Sequence, residues 1–453
     1  MVKSVIYQIL VRAFGLRNCE PGGSYSVNGS GKFAQISDEY LRKLRQLSVG
    51  YVWYSGVISH DTKLHFKGVN NCKEIYVPNE AGNPYAIRNY FDVDPALAVN
   101  CDNRMSEFQA LIERTHKNGM KVIIDFIPDR VYREYIGYFQ KNNFKGRQLP
   151  SQEDDSSLEE TVALNYDDRD TWIKMRDILM FWASKGIDGF FCHNIEKVPA
   201  EFFAYAIEEV KERYRNVVFM GETENSSDFR EYANAGFEQM CSKSRFFYTL
   251  KDILAGIRPA RDLSTCWRES REYQSKMFEM LESGSTPRVV SGKGKSGYPA
   301  LAVSLLFSTA PFLIHFGQEF GESEEVGKGW CIVPSVKRFL QDRLTMGENI
   351  VYKEYCRLMR IATGDSIFSK GKTIDLMPFN PDSNDFDGSK CFAWIRHYAD
   401  SAMMIVANFD GKPADIVVNV PEEVFKQIGI SKNETKVDVH VNARDYMRID
   451  LSR

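Results

Sequence analysis

The chain has 453 residues, a length that exceeds one small domain and predicts one large domain followed by a smaller one. Its formal net charge of −3 shows no surplus of Lys and Arg. This argues against a nucleic-acid partner, because phosphate binding requires clustered cations. Hydrophobic content of 43% and charged content of 26% are typical of globular proteins, and the 13% of aromatic residues suits both a large core and sugar-stacking surfaces.

The nine cysteines are scattered, and no two have the C-x-x-C spacing of a zinc or redox motif. We therefore expect reduced thiols, no metal and no cofactor, and a cytoplasmic location. The N-terminus has no basic stretch followed by an apolar run, so no signal peptide is predicted, although a secreted precursor trimmed before this start would look the same. The apolar stretch Ala300–Ile314 is too short and too polar to span a membrane, and no membrane partner is expected. The oligomeric state stays open.

Eight short apolar runs predict strands that are buried on both faces. These runs are Val5–Leu10, Tyr51–Tyr54, Val122–Ile127, Gly189–Cys192, Val217–Met220, Phe237–Met240, Met277–Leu281 and Phe312–Phe316. Helical patterns lie between them, including one capped by Ser37 and one opened by Pro199. The alternation predicts an α/β fold, either a closed parallel (β/α)₈ TIM barrel or an open doubly wound sheet.

The alternation of predicted strands and helices ends at about residue 370. Four strands without long helices between them are predicted there, and in the last of them valines alternate with polar residues. These strands are Cys391–Arg396, Ala402–Asn408, Asp415–Val420 and Lys436–Asn442. They predict an antiparallel β-sandwich over 370–453, after a barrel over 1–369. Gln152–Thr161, with five acidic residues, is expected to be a solvated loop.

Polar residues follow the apolar runs at the predicted carboxyl ends of the strands. Barrels of this kind carry their catalytic residues at these ends. They read Asp125-Phe-Ile-Pro-Asp129-Arg130, Phe191-Cys-His193, Gly221-Glu222, Glu282-Ser-Gly284-Ser285 with Arg288, and Gly317-Gln-Glu319. In this order, and with Val5-Ile-Tyr-Gln and the segment Pro84–Tyr90, they resemble the signature regions of glycoside hydrolase family 13, the α-amylase family. The resemblance covers essentially the whole chain. It implies an α-amylase-type barrel in carbohydrate metabolism, with an oligosaccharide or α-glucan as partner.

The retaining mechanism of this family needs a nucleophilic carboxylate and a general acid/base about 5–5.5 Å apart, and a further aspartate that supports the transition state. By the resemblance, Glu222 matches the acid/base and Tyr85 the residue that stacks on the sugar. His193 stands at the nucleophile, Ser285 at the further aspartate, and Phe191 at the arginine that orients the nucleophile. Three of the polar positions are therefore replaced.

Further candidate substrate-binding positions also depart from the family pattern. Asn89 stands where the family has aspartate, Asp129 and Arg130 stand where it has Asn-His, and Gly284 stands where it has histidine, whereas Asp125 matches the aspartate of the third strand. Such correlated replacements predict a catalytically impaired or inactive member. We expect this pseudoenzyme to bind an oligosaccharide or to act as a scaffold.

The physical reason is that a neutral imidazole supplies no negative charge to an oxocarbenium-like centre. His193 is then either a replacement base or an inert polar plug. One alternative is an active glycoside hydrolase or transglycosylase built on Glu222 with a displaced partner. Asp129 is a candidate partner for an inverting mechanism, with carboxyls about 6.5–9.5 Å apart, unless it forms an ion pair with Arg130. A second alternative is a protein-interaction module.

Two segments around the predicted site are short for the family. Val131–Leu164 implies that the domain protruding after the third strand is reduced to a loop, and Gly327–Pro334 is brief for a substrate loop. Trp53 and Trp330 are candidates for sugar stacking or for packing. Ser291–Gly297 resembles a phosphate-binding loop but lacks its first glycine, so a flexible loop is predicted.

Overall fold

The structure is a computed structural model of the chain. It describes residues 3–15, 24–66, 68–69, 72, 77, 80–135, 138–145, 160–223, 229–242, 246–270, 273, 276–283, 288–289, 297–322, 349–431 and 434–452. Within these ranges, no helix combines the length and the apolar character needed to cross a lipid bilayer.

Eight parallel strands form the main sheet. They are β1 (Val5–Leu10), β2 (Val49–Ser55), β3 (Lys121–Phe126), β4 (Gly189–Cys192), β5 (Val218–Thr223), β6 (Gln239–Ser242), β7 (Glu279–Met280) and β8 (Phe312–His315). Their order in the sheet is β6-β5-β4-β3-β2-β1-β8-β7. A parallel bridge between Met240 on β6 and Met277 just before β7 closes the sheet on itself. The closed barrel is therefore confirmed, and the open doubly wound sheet is excluded.

Helices connect these strands and cover the outside of the barrel. They are α1 (Asp38–Gln46), α2 (Arg104–Lys117), α3 (Arg169–Ser184), α4 (Ala200–Arg213), α5 (Phe229–Asn234), α6 (Phe246–Leu254), α7 (Asp262–Ser270), α8 (Tyr298–Leu306) and α9 (Ile350–Gly364). The predicted Ser37 cap is present, since its hydroxyl accepts a hydrogen bond from Tyr40 N at 3.2 Å. Short helical segments also occur at Tyr25–Asn28 and Ser366–Ser369.

One layer of side chains fills the middle of the barrel. Every strand contributes one buried residue to it, because alternate side chains of a strand point to the same face. The eight strand residues are Ile6, Trp53, Ile123, Phe191, Met220, Cys241, Met280 and Leu313, joined by Phe247 and Phe278. This apolar layer is the floor below the carboxyl ends of the strands.

Two antiparallel hairpins extend the loops at the carboxyl end of the barrel. Ile58–His60 pairs with Ile87–Val93 after β2, and Arg130–Tyr132 pairs with Thr161–Ala163 after β3. The second hairpin lies where the sequence predicts the reduced protruding domain, and residues 146–159 inside it lie outside the described part. The trailing part of the predicted acidic loop, Glu160 and Thr161, belongs to this hairpin.

The C-terminal part is all-antiparallel, as predicted. Its strands are β9 (Lys372–Asp375), β10 (Cys391–Tyr398), β11 (Ser401–Asn408), β12 (Ala414–Asn419), β13 (Lys436–Val441) and β14 (Asp445–Asp450), with one helix, Glu422–Gln427. Four of them form a sheet in the order β9-β10-β11-β14, and β12 pairs with β13. On β13, Val439 and Val441 are buried and His440 is exposed, which is the alternation that the sequence shows.

Candidate active site

His193 lies directly after β4, at the carboxyl end of the barrel. Its backbone N–H donates to Phe126 O at 3.0 Å, so the residue is held against the end of β3. The next residue, Asn194, has a φ of 47° and a ψ of 47°, in the left-handed region that asparagine tolerates better than most residues. This turn ends the strand and leaves the His193 ring over the apolar layer.

The imidazole of His193 bridges two carboxylates. Its Nδ1 lies 2.9 Å from Glu222 Oε1, and its Nε2 lies 2.9 Å from Asp125 Oδ1. Asp125 is fixed further, because Trp53 Nε1 donates to its Oδ1 at 3.1 Å and Gly56 N donates to its Oδ2 at 2.6 Å. The three residues come from the ends of β3, β4 and β5, and Asp125 anchors the group from behind.

The two carboxylates decide the protonation state of His193. Burial on its own lowers the pKa of this imidazole, but Glu222 and Asp125 outweigh burial and raise the pKa to about 9. The ring is therefore a cation at neutral pH and donates from both nitrogens. Where the resemblance implies a negatively charged nucleophile, the structure has a positive charge with no free lone pair.

Phe191, at the position of the family's arginine, is part of the apolar layer. Its ring stacks on Trp53 with centroids 3.9 Å apart and an interplanar angle of 19°, and it packs against Phe278 at 6.0 Å. Only 3% of its surface is exposed. A guanidinium in this place would be buried among rings. Trp53, a candidate for sugar stacking, thus packs against Phe191 while its edge borders the cavity described next.

A cavity of about 350 Å³ opens above this group. That volume lies at the lower end of the range for small-molecule sites. Its walls are mainly apolar and aromatic, with polar groups from several strand ends and from both hairpins. Its described lining consists of Gln8, Leu10, Trp53, Ser55, Asn83, Tyr85, Ile127, Arg130, Glu160, Thr161, Phe191, His193, Asn194, Glu222, Cys241, Phe278, Met280, Ser283, Leu313 and His315.

The structure brings some predicted site residues together in this cavity. Tyr85 lines it with its ring centroid 4.8 Å from that of His193, and Glu222 and Arg130 line it as well. Burial raises the pKa of the Tyr85 phenol well above its ordinary value of 10.0, chiefly by desolvation and then by the field of Asp125. The phenol is therefore neutral.

Other predicted site residues lie elsewhere. Asp129 is buried behind the cavity wall and pairs with its neighbour, with Arg130 Nη2 at 2.7 Å from its Oδ2, the ion pair that the sequence allowed. Asn89 lies on the hairpin strand Ile87–Val93, where its Oδ1 accepts from Phe91 N at 3.0 Å, and it is not part of the described lining. Gly284 and Ser285 lie outside the described residues, as do Trp330, the segment Gly327–Pro334 and residues 291–296.

Sequence reasoning missed two carboxyl groups here. Glu160, expected to be a solvated loop residue, lines the cavity. It contacts Asp61, which is completely buried. Asn83 joins the two, since its backbone N donates to Asp61 Oδ1 at 2.7 Å and its Nδ2 donates to Glu160 Oε2 at 3.0 Å. Asp61 and Asn83 lie in the connection of the first hairpin and Glu160 at the start of the returning strand of the second, so no sequence spacing indicated the cluster.

A second missed pair lies at the ends of β1 and β8. His315 Nδ1 lies 3.0 Å from Gln8 Oε1, and both side chains line the cavity. Burial lowers the pKa of His315 well below 6.5, and Arg288 adds to this, so the ring is neutral. A polar side chain inside each of two predicted apolar strands, Val5–Leu10 and Phe312–Phe316, was the signal that could have found them. Among the described residues, no group of three or more His, Cys, Asp or Glu side chains is placed to hold a metal ion.

The fold is that of the α-amylases. The structure aligns with a noncanonic maltogenic α-amylase from Thermotoga neapolitana at a TM-score of 0.75 and 16% sequence identity, over 99% of this chain and 98% of the other. The protein is therefore an α-amylase-type barrel in its fold. At the carboxyl end of this barrel, a histidine bridges two carboxylates. No protein-family model matches the chain.

Two curated sequence relatives carry the name of the same glucan-modifying enzyme. The chain is 24% identical over 285 residues to the α-1,4-glucan:maltose-1-phosphate maltosyltransferase of Cereibacter sphaeroides, which covers 59% of this chain and 41% of the relative. It is 22% identical over 369 residues to the enzyme of that name from Picrophilus torridus, which covers 77% of this chain and 55% of the relative. Together with the α-amylase fold, these relatives support the resemblance to glycoside hydrolase family 13 that the sequence shows. The chain spans about half the length of the relatives it matches.

Proposed function

We propose that the chain binds an oligosaccharide or α-glucan in the cavity above His193 and lacks the standard retaining hydrolase activity of its family. The observation that carries this proposal is the bridge from His193 to Asp125 and Glu222. A cation at the nucleophile position cannot attack the anomeric carbon, and it repels the positive charge that develops there in the transition state. The bridge also holds the carboxylate that the family uses as acid/base.

The binding half of the proposal is supported by the walls of the cavity. Tyr85 offers an aromatic face beside His193, and Arg130 and Asn83 offer hydrogen-bond donors. Aromatic faces with a few polar groups are the usual composition of a small-molecule site. The named activities of the relatives concern α-glucans, so an α-glucan is the ligand class to test first. A cytoplasmic location belongs to the same proposal, supported by seven free cysteines among the described residues.

The test measures binding and turnover in parallel. We expect maltotriose and maltoheptaose to raise the melting temperature and to bind in isothermal titration calorimetry, without release of reducing sugar or change in chain length. Tyr85→Ala removes the stacking face and should weaken binding by about tenfold. Leu376→Val, a conservative change in the C-terminal part, is the matched control and should bind as the wild type does. Absence of binding by both glucans contradicts the proposal.

One observation favours a second candidate, an active glycoside hydrolase that uses Glu222 with a displaced partner. Glu160 lines the same cavity as Glu222 and is a carboxyl group of the kind an inverting mechanism needs. In that mechanism one carboxyl protonates the leaving oxygen and the other activates water. The His193 bridge would have to open to release Glu222.

Turnover separates the two candidates. An active enzyme would release reducing sugar from maltoheptaose, and both Glu222→Gln and Glu160→Gln would abolish the release. The configuration of the first product, followed by proton NMR, would be β from an α-linked glucan if these carboxyls act by inversion. If Glu160→Gln still forms product, Glu160 is not the second catalytic carboxyl. Product formation by the wild type would contradict the proposal that the chain lacks hydrolase activity.

A further inference from the structure

The wall of the cavity formed by β1 and β8 presents a side-chain amide to the ligand space. Gln8 is 7% exposed and lines the cavity, and its Oε1 accepts from His315 Nδ1 at 3.0 Å. The Gln8 amide nitrogen has no hydrogen-bond partner among the described residues. A primary amide carries two N–H donors, so both remain available to a ligand in the cavity.

His315 fixes the orientation of this amide. The ring is 2% exposed, and burial, helped by Arg288, holds its pKa well below 6.5, so it carries a single proton. That proton lies on Nδ1, because Gln8 Oε1 can only accept. The other ring nitrogen, Nε2, is buried without a hydrogen-bond partner. An unpaired buried nitrogen lowers stability, so orientation of Gln8 explains this histidine better than a structural role does.

The Gln8 wall faces the His193 bridge across the mouth of the barrel. The strand order β6-β5-β4-β3-β2-β1-β8-β7 places β1 four positions from β5 and β8 four positions from β4, which are opposite positions in a closed sheet of eight strands. Between the two walls lies the apolar layer, from which Phe191 and Leu313 both line the cavity. A sugar ring has apolar faces and a polar edge, so it fits a site with an apolar floor and polar walls.

The hydrogen-bonding groups of the Gln8 wall are neutral. Gln8 is an amide and His315 is an uncharged imidazole, as shown above. Arg288, the cation whose field acts on His315, is itself bound to Glu282 at 2.8 Å and to Phe316 O at 3.2 Å. Phosphate and carboxylate groups bind most strongly to charged donors, whereas a neutral amide suits an uncharged oxygen. A hydroxyl group is therefore the ligand group that this wall fits.

We propose that Gln8 is a specificity-determining residue that donates to one hydroxyl group of a sugar bound in the cavity, with His315 as its positioning residue. This inference rests on the proposed function, because it names a contact of the same site. The contact lies on the side opposite His193, in a wall to which the sequence assigned no site residue. It gives the cavity a polar group at each side of its apolar floor.

The ligand half of the test uses methyl β-maltoside and its monodeoxy analogues, each without one hydroxyl, in isothermal titration calorimetry at pH 7. We expect one analogue to bind the wild type about tenfold more weakly than the parent, because the Gln8 amide then lacks its acceptor. Gln8→Leu should weaken binding of the parent by about the same factor and should bind that analogue as well as the parent. Gln109→Leu, the same change on the outer helix α2, is the matched control and should bind as the wild type does.

Two further substitutions test His315. His315→Asn puts an amide nitrogen near the place of Nδ1 and should keep binding within about twofold of the wild type. His315→Phe keeps a ring but removes the donor to Gln8, so binding should weaken about fivefold while the melting temperature changes little, since the unpaired Nε2 is removed as well. A purely structural histidine would instead lower the melting temperature in both variants and leave the preference among the maltosides unchanged.

The outcomes separate this inference from the proposed function. If the maltoside binds and every analogue loses the same factor in the wild type and in Gln8→Leu, the inference is wrong and the proposed function stands. If Gln8→Leu does not fold, the two His315 variants decide, and equal binding by His315→Phe and the wild type contradicts the inference. A wild type that binds neither the maltoside nor maltotriose and maltoheptaose removes the proposed function and this inference with it.

Discussion

Both ends of the barrel bury charged side chains, but the two ends satisfy them differently. At the carboxyl end, the His193 cation lies between two carboxylates, and the group borders the cavity. At the amino end, Lys3 precedes β1 and its ammonium donates to the main-chain carbonyls of Leu305 at 2.5 Å and Ser308 at 2.9 Å. Glu279, the first residue of β7, is the acidic group that raises the pKa of Lys3.

Burial penalises both charged groups at the amino end. It lowers the pKa of Lys3 to about 7, helped by Arg396, and it raises the pKa of Glu279 to about 7 against the opposing effect of Lys3. These shifts are as large as the one on His193, yet neither residue lines the cavity. A shifted pKa thus marks a buried charge, and only together with an accessible cavity does it indicate a functional site.

The largest effect is expected from Phe191→Ala, which tests whether the layer below the cavity is ordinary core. Phe191 stacks on Trp53 and is 3% exposed, so its removal should lower the free energy of unfolding by about 3–5 kcal/mol, measured in urea. Phe191→Leu keeps most of the apolar volume and should cost about 1–2 kcal/mol. A loss below about 1 kcal/mol for the alanine variant would show that the family's arginine position is not part of the core here.

The next effect concerns the charge of His193. Because its pKa rises from the ordinary 6.5 to about 9, its contribution to stability is fully present below pH 6.5 and is lost as the pH rises through 9. The shift corresponds to about 3 kcal/mol. His193→Gln should therefore be less stable than the wild type at pH 6 and nearly equal to it at pH 10 in urea unfolding. A difference that does not change with pH would mean that the imidazole is neutral in the folded state.

A smaller effect is expected at Asn194, the left-handed residue after His193. Asn194→Ala places a poorly tolerated side chain in this conformation and should cost about 1 kcal/mol, whereas Asn194→Gly should stay within a few tenths of the wild type. The comparison of both variants by thermal unfolding isolates backbone strain from side-chain contacts. Equal losses for the two variants would show that the asparagine side chain, and not its conformation, matters there.

Much of the fold could be predicted from the sequence, because strands buried on both faces produce short apolar runs. Gly189–Cys192 and Val5–Leu10 match their observed strands at both ends, while β7 is shorter than the predicted Met277–Leu281. Helix α9 and strands β9 and β14 escaped prediction. Strand β9 is only half-buried, so it shows no plain apolar period. Helix α9 does have a helical period and was overlooked, since its buried residues recur on one face: Val351, Tyr352, Tyr355, Leu358, Met359 and Ala362.

The site could be predicted only where one strand end supplies the residue. His193, Glu222 and Asp125 each follow a recognisable run, and the structure brings all three within hydrogen-bond distance. The contact between Asp61 and Glu160 joins residues about a hundred positions apart on two hairpins. No local period encodes such a meeting, since it depends on how loops fold over the barrel.

The smallest effect is expected at the amino end, from Glu279→Gln. Since burial raises the pKa of Glu279 from 4.5 to about 7, its contribution to stability is full below pH 4.5 and is lost as the pH rises to 7. The amide of the variant does not titrate, so its free energy of unfolding should not fall between pH 4.5 and pH 7 on account of this position. At pH 8 the variant should be as stable as the wild type or more stable, by up to about 1 kcal/mol. Urea unfolding at pH 5 and pH 8 measures both. A large loss of stability in the variant at pH 8 would mean that the charge of Glu279 stabilises the barrel. Buried charge would then be stabilising at both ends of the barrel.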